Sequence, residues 1–539
     1  MTIVGNIIDI KAREIYPGLL TIKAGKIDSI QRIEEVGKQL PYLLPGFIDA
    51  HVHIESSMLV PTEFARMAVV HGTVATVSDP HEIGNVLGVE GVEFMIENGN
   101  QSPFKFFFGA PSCVPATTFE TAGASITVDD VAYLLQKPTI KYLAEMMNWP
   151  GVLYKDKEVY AKIDLAKQMA KPIDGHAPGL KGQQAIEYIQ AGMSTDHECF
   201  TLEEALHKLE QGMKIIIREG SAAKNFEALI ELLPQYPDKM MFCSDDKHPD
   251  SLVEGHINQL VKRALAKGYD LFDVLQVACL NPIEHYDLEV GQLRVGDEAD
   301  FILINNLEDF QVTHTYIKGQ LVAQHGTSLL TNIPSTHPNN FQAHFKTANQ
   351  FKQLNTSATI PVIEVIDGEL ITNRLDLSPK VIDGYNESDT DRDILKITVV
   401  NRYTPDATPA IAFIKNFRLQ EGAIASSVGH DSHNIICVGV DDASIAKAIN
   451  LVIESKGGLA AVSSTTEQIL GLPIAGLMTD EDGYQVSENY LKLDGMVKEM
   501  GCQLQAPFMS LSFMALLVIP SLKLSDLGLF DGSAFEFVT

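Results

Sequence analysis

The chain has 539 residues, 45% hydrophobic and 21% charged, and 41 basic against 70 acidic side chains leave a formal net charge of −29. No basic block offsets that charge, which argues against a nucleic-acid backbone as partner and makes a small neutral or cationic ligand easier to accept. The length calls for two or three domains, and no apolar run of about 18 residues is present to form a transmembrane helix. The apolar stretch Met509–Ile519 is too short to span a membrane and contains Ser510 and Ser512. The first residues carry no basic region ahead of an apolar core and no small-residue cleavage site, so a cytoplasmic protein is expected. Six cysteines, at 113, 199, 243, 279, 437 and 502, form no C-x-x-C pair, which argues against disulfides and excludes a zinc site built from paired cysteines.

Residues 1–44 alternate and turn often, with Gly18 and Gly25 as turn signals, and read as short antiparallel strands. The same texture returns at 291–322. The two pieces, 1–44 and 286–330, are expected to meet as one composite, β-sandwich-like domain. Between them, over 45–285, short apolar segments alternate with helix-like stretches. Strands are expected at Gly46–Val52, Thr73–Ser78, Phe104–Ala110, Ile140–Met147, Pro172–His176, Ser194–His197, Lys214–Glu219 and Met240–Ser244. Eight βα units over roughly 240 residues is the pattern of a (β/α)8 TIM-like barrel, with a doubly wound open sheet as the alternative. Residues 327–342 read as a polar, Pro-interrupted linker. From 345 to 539 strands and helices mix in a C-terminal α+β domain. Its conspicuous site is Ser426–Asn434, SSVGHDSHN, either a capped turn or a loop closing over the barrel mouth with His430, Asp431 and His433 near a ligand.

In a barrel, catalytic groups sit at the C-terminal ends of the strands. His51 and His53, two apart on one strand, face the same way and offer half of a metal site. The following strand ends carry Asp79 with His81 and Glu82, then Glu145, His176, His197 with Glu198, Arg218 with Glu219, and Asp245 with Asp246. His81 follows a proline beyond its strand and is assigned to the loop. The four remaining imidazoles, with one bridging and one terminal carboxylate, suit two divalent ions sharing a hydroxide. Glu145 at the rim is the preferred bridge. Lys141, four residues earlier on the same strand, competes if modified to a carbamate.

The segments PGFIDAHVHIESSM, SDPHEIGNV, LAEMMN, DGHAPGL, TDHE and CSDD, in this order, resemble the adenine deaminase family of the amidohydrolase superfamily. GDEADFILI resembles the superfamily's returning small-domain strand, and SSVGHDSHNII with APFMSLSFMALLVIP resembles the family's C-terminal domain, so the likeness covers essentially the whole chain. It implies hydrolysis of adenine to hypoxanthine and ammonia, a step of purine salvage, with two Mn2+ or Fe2+ ions per subunit. Carried over by position, His51 and His53 bind one metal, His176 and His197 the other, Glu145 bridges, and Asp245 is the last ligand and proton shuttle. Asp245, Glu145 and His197 are the expected catalytic set. Purine contacts are expected among Glu55, Ser56, Asp79, His81, Glu82, Glu198, Asp246 and His248, with His430 and His433 from the SSVGHDSHN loop. Two departures from other deaminases matter. His176-Ala-Pro-Gly lacks the second acid that follows strand five in mononuclear deaminases, and no P-C-x-x-C accompanies His53-Ile54-Glu55. A cyclic amide or imide hydrolase using carboxylated Lys141 is the rival enzyme, and a scaffold without catalysis the rival of another class. A homodimer is expected only because dimers are common.

Overall fold

The computed structural model describes residues 1–34 and 40–538; residues 35–39, in the first expected β unit, and Thr539, in the third, lie outside the described residues. Eight parallel strands form the centre: β1 (Phe47–Val52), β2 (Thr73–Ser78), β3 (Lys105–Ala110), β4 (Ile140–Met146), β5 (Ile173–Gly175), β6 (Thr195–Asp196), β7 (Lys214–Arg218) and β8 (Met240–Cys243). Each begins and ends within one residue of the expected segment. β1 to β5 pair in succession, as do β6 to β8. The Ser194 N–H donates to Ile173 O at 2.8 Å and joins β5 to β6. Asp245, just past β8, closes the ring: its N–H donates to His51 O at 3.0 Å and its carbonyl accepts from the His53 N–H at 3.3 Å. The ring closes, so the fold is a barrel and not an open sheet. Every residue of β1, β2 and β8 is buried, as parallel strands covered by helices require.

The N-terminal strands Thr2–Asp9, Glu14–Lys23, Lys26–Arg32 and Tyr42–Pro45 share one eight-stranded sheet with Phe301–Ile304, Val312–Ile317, Gln320–Gln324 and Thr327–Ser328. Tyr42–Pro45 pairs antiparallel with Phe301–Ile304, so the two pieces of chain meet there. Strand alternation sends successive residues to opposite faces. Leu43 and Phe301 therefore pack within the small unit, while Leu44 and Ile302 join the core of the barrel's helices. The two pieces expected to meet as one composite domain share this sheet.

A second eight-stranded sheet organises the C-terminal region, in the order Thr372–Leu377, Ile360–Val365, Ala410–Lys415, Leu395–Val400, Ile435–Gly439, Ala423–Ser426, Gly458–Val462, Glu467–Gly471. The helix Asp442–Glu454 covers one face, its N-terminus capped by Asp441, whose carboxylate accepts from the Ser444 N–H at 2.8 Å. The region is fastened to the barrel just beyond β1. The Val60 N–H donates to Thr479 O at 3.1 Å and the Thr479 N–H to Met58 O at 2.9 Å. Residues 329–347 form no helix or strand, yet they are tied down. Asn332 Nδ2 donates to Glu63 Oε1 at 2.7 Å and the Gln342 N–H to Arg402 O at 2.7 Å. Among the described residues no helix is long and apolar enough to cross a membrane.

Candidate active site

At the C-terminal rim the strand ends bring six buried polar side chains together: His51, His53, Glu145, His176, His197 and Asp245. His51 and His53 extend from the end of β1 with their Nε2 atoms 3.2 Å apart. Asp245 Oδ1 lies 3.5 Å from the first and 3.3 Å from the second. The His53 Nδ1–H donates to Asp79 O at 3.2 Å. That bond keeps the proton on Nδ1 and leaves the Nε2 lone pair facing His51. Glu145 divides its two oxygens. Oε1 lies 3.4 Å from His53 Nε2, while Oε2 lies 2.7 Å from His176 Nδ1 and 3.2 Å from His197 Nε2.

This arrangement fits two cations better than a hydrogen-bond network. Convergent imidazole lone pairs repel one another unless a positive charge sits between them, and Glu145 faces both groups of nitrogens at once. The donors are all nitrogen and oxygen, a set suited to divalent metal ions. Both carboxylates are held ionised. Burial would push Glu145 up, but His176 and His197 hold it well below the usual carboxylate range. Burial likewise opposes ionisation of Asp245, and the Arg218 guanidinium, with His51 and His53, overrides it.

Local structure fixes the backbone around these side chains. Asp245 adopts φ 53°, the left-handed region that aspartate tolerates better than most residues. This kink turns its backbone to the β1–β8 seam and its carboxylate to the site. Gly175 precedes His176 where a Cβ would stand 2.4 Å from Thr195 O, so only glycine lets β5 lie this close to β6. Asn225 Nδ2 donates to His197 O at 3.0 Å and its Oδ1 accepts from the Arg218 N–H at 2.8 Å, locking the ends of β6 and β7 together. Asp49 accepts from the Ser244 N–H at 3.0 Å and pairs with His256 Nε2 at 2.7 Å, steadying the residue before Asp245.

The C-terminal region closes the site from above. Glu82 faces His430 Nδ1 at 2.8 Å and His433 Nε2 at 2.7 Å, and His81 Nε2 lies 3.7 Å from Asp431 Oδ1. The resulting cavity is charged on the barrel side and apolar where Leu370, Phe513 and Leu516 cover it.

Comparison with known proteins agrees with this architecture. Residues 42–322 match the amidohydrolase family and residues 369–536 match the adenine deaminase C-terminal domain. The chain is 56% identical to an adenine deaminase of Sulfurovum sp. (strain NBC37-1), over 100% of this chain and 99% of that protein. It is 53% identical to one of Salinibacter ruber, over 100% of this chain and 98% of that protein. This chain belongs to the adenine deaminase family of the amidohydrolases. A crystal structure of a β-aspartyl dipeptidase from Fervidobacterium islandicum AW-1 aligns with 62% of the chain and 100% of its own length, at 16% identity and a TM-score of 0.46.

Against this family background, the placement of the expected residues divides cleanly. All six expected ligands converge. Of the expected purine contacts, His81, Glu82, Glu198, Asp246 and His430 line the cavity. Glu55, Ser56, Asp79, His248 and His433 lie outside that lining and bond to neighbouring residues. Glu55 accepts from the Ile83 N–H at 3.2 Å, Ser56 Oγ donates to Asp246 at 2.6 Å, and Asp79 accepts from the Glu145 N–H at 3.2 Å. His248 Nδ1 pairs with the Tyr490 hydroxyl at 2.8 Å, and His433 is taken up by Glu82. His81 opens a helix, His81–Leu87, and its Nδ1 reaches within 3.6 Å of Glu145, so it belongs to the site and not to a loop. Lys141 points away: its Nζ pairs with Glu289 at 2.7 Å and donates to Asp287 O at 3.3 Å. Arg218 was noticed only as a strand end, yet it clamps Glu198 and Asp245 together from a fully buried position. A cation placed one residue beyond a run of buried isoleucines was the available signal. Phe513 carried none.

Proposed function

We propose that this chain hydrolyses adenine to hypoxanthine and ammonia at a pair of divalent ions held by His51, His53, Glu145, His176, His197 and Asp245. The observation that carries this reading is the full-length likeness to adenine deaminases, down to the C-terminal domain that covers the ligand cluster. Bound there, two ions would bring a water close to ionisation at neutral pH and polarise the substrate. The protein's own part is positional. Asp245 Oδ1, within 3.5 Å of both imidazole nitrogens, is placed to accept a proton from the water and release it to the departing amine. The water oxygen bonds C6 of the purine, one water proton goes to the adjacent ring nitrogen and the other to the amine. The C6–N bond then breaks and ammonia leaves. His81, Glu82, Glu198, Asp246 and His430 are the polar groups assigned to the purine, and Arg218 keeps Asp245 ionised and aimed.

The family likeness suggests Mn2+ or Fe2+ as the metal, and the mixed imidazole and carboxylate donors accept either. We further assign the enzyme to cytoplasmic purine salvage and, on the general frequency of such assemblies, to a homodimer. The cyclic amide hydrolase reading needs a carboxylated lysine, and the engagement of Lys141 with Glu289 weighs against it. The decisive assay loads purified protein with manganese and follows loss of adenine absorbance together with ammonia release. Equimolar hypoxanthine and ammonia are expected. Turnover of a cyclic amide with none of adenine would overturn the assignment.

A further inference from the structure

We infer that Phe513, backed by Leu370 and Leu516, is the specificity-determining face against which the purine plane lies, and that Lys523 is the residue that positions it. The inference rests on the adenine reading and deepens it by assigning the nonpolar half of the pocket to the C-terminal domain. Apart from Met147, the cavity residues supplied by the barrel are charged or imidazole side chains. A neutral heteroaromatic ring gains little from a wall of charges and needs an apolar surface to lie on. That surface comes from Leu370, Phe513 and Leu516, all buried.

The ring of Phe513 is held from two sides. It packs on His430 with ring centroids 5.0 Å apart, and His430 is itself anchored to Glu82 of the barrel at 2.8 Å. Behind the cavity, Lys523 is fully buried and, among the described residues, pairs with no carboxylate. Its Nζ donates to Phe513 O at 2.9 Å and to Leu370 O at 2.5 Å. Burial pulls the amine down to about 7, and a neutral amine still has two protons for two carbonyls. A buried lysine spent on two main-chain carbonyls is costly as structure alone. The two carbonyls it ties together belong to separate segments, 143 residues apart in sequence, that form the roof of one cavity.

The test uses the full-length, metal-loaded enzyme and measures kcat and KM for adenine. F513A is expected to raise KM about ten- to a hundredfold, the loss that removal of a base–aromatic stack produces, with kcat within about threefold of wild type. F513Y should restore a KM near wild type. K523M is expected to raise KM in the same way, and in the F513A background to add nothing further. Metal content and unfolding temperature are recorded for each variant. If F513A fails to fold, F513L keeps the bulk without the aromatic plane and should still raise KM several-fold. A KM within twofold of wild type for the folded alanine or leucine variant, or a loss confined to kcat, overturns the inference. Wild-type enzyme that does not deaminate adenine at all would instead overturn the functional assignment on which it stands.

Discussion

Glu145 does two jobs with one carboxylate, and its neighbour on the same strand does neither. Its oxygens face opposite groups of imidazoles, whereas Lys141 is engaged with Glu289. The two make a clean comparison. Glu145→Ala should lose bound metal, measured by elemental analysis, and cost activity on the order of a hundredfold or more, since even supporting partners of metal ligands carry that much. Lys141→Ala should keep both metal content and activity near wild type. Loss of metal from the lysine variant alone would restore the carbamate reading. Arg218 helps hold the Asp245 carboxylate ionised against the cost of burial. Its guanidinium binds Glu198 and Asp245 together, and an arginine stays charged even when fully buried.

The loop Ser426–Asn434 is where the C-terminal region grips the barrel, through His430 and His433 on Glu82. Burial opposes a charge on His430, but Glu82 and Asp246 prevail and raise it from 6.5 to about 9. A group raised on folding contributes fully below its unfolded value and loses that contribution as pH climbs through the folded one. The junction should therefore weaken between pH 6.5 and 9, by an amount on the order of 3 kcal/mol. His430→Gln should flatten the fall in unfolding temperature over that interval, read by calorimetry at several pH values. An unchanged slope would show that the pair holds nothing together. This junction also marks how far the chain could be read in advance. The barrel was visible because each strand is a short apolar run ending in a polar residue, and the first two candidate ligands because H-x-H is a local, period-two pattern. Glu82 and His433 lie 351 positions apart, and no local pattern says that they meet. Lys141 shares the period-two parity of Glu145, but the pairing of β4 with β5 shifts register between Leu143 and Met146, so parity along the strand does not carry it into the site. The roof residue Phe513 sits in an ordinary apolar stretch whose special role depends entirely on what the barrel presents beneath it.

The small sheet, the barrel and the C-terminal region are joined by the chain and by hydrogen bonds between them. Tyr42–Pro45 feeds the small sheet directly into β1, and the segment 329–347 straps the barrel to the C-terminal region through Asn332 and Gln342. A net charge of −29 spread over such an assembly gives self-repulsion that salt screens. The feature with the longest reach is the seam between β1 and β8. The residue whose side chain completes the ligand cluster, Asp245, is also the one whose main chain closes the ring on His51 and His53. We therefore expect occupancy of the site to be felt at two main-chain amides. Hydrogen exchange should see it: treatment with a chelator is expected to speed exchange at the amides of His53 and Asp245 while those of β2 and β3 stay protected. Equal change everywhere, or none at the seam, would show that closure does not depend on the ions. On this reading the barrel's last stitch would double as a gauge of whether its metal site is filled.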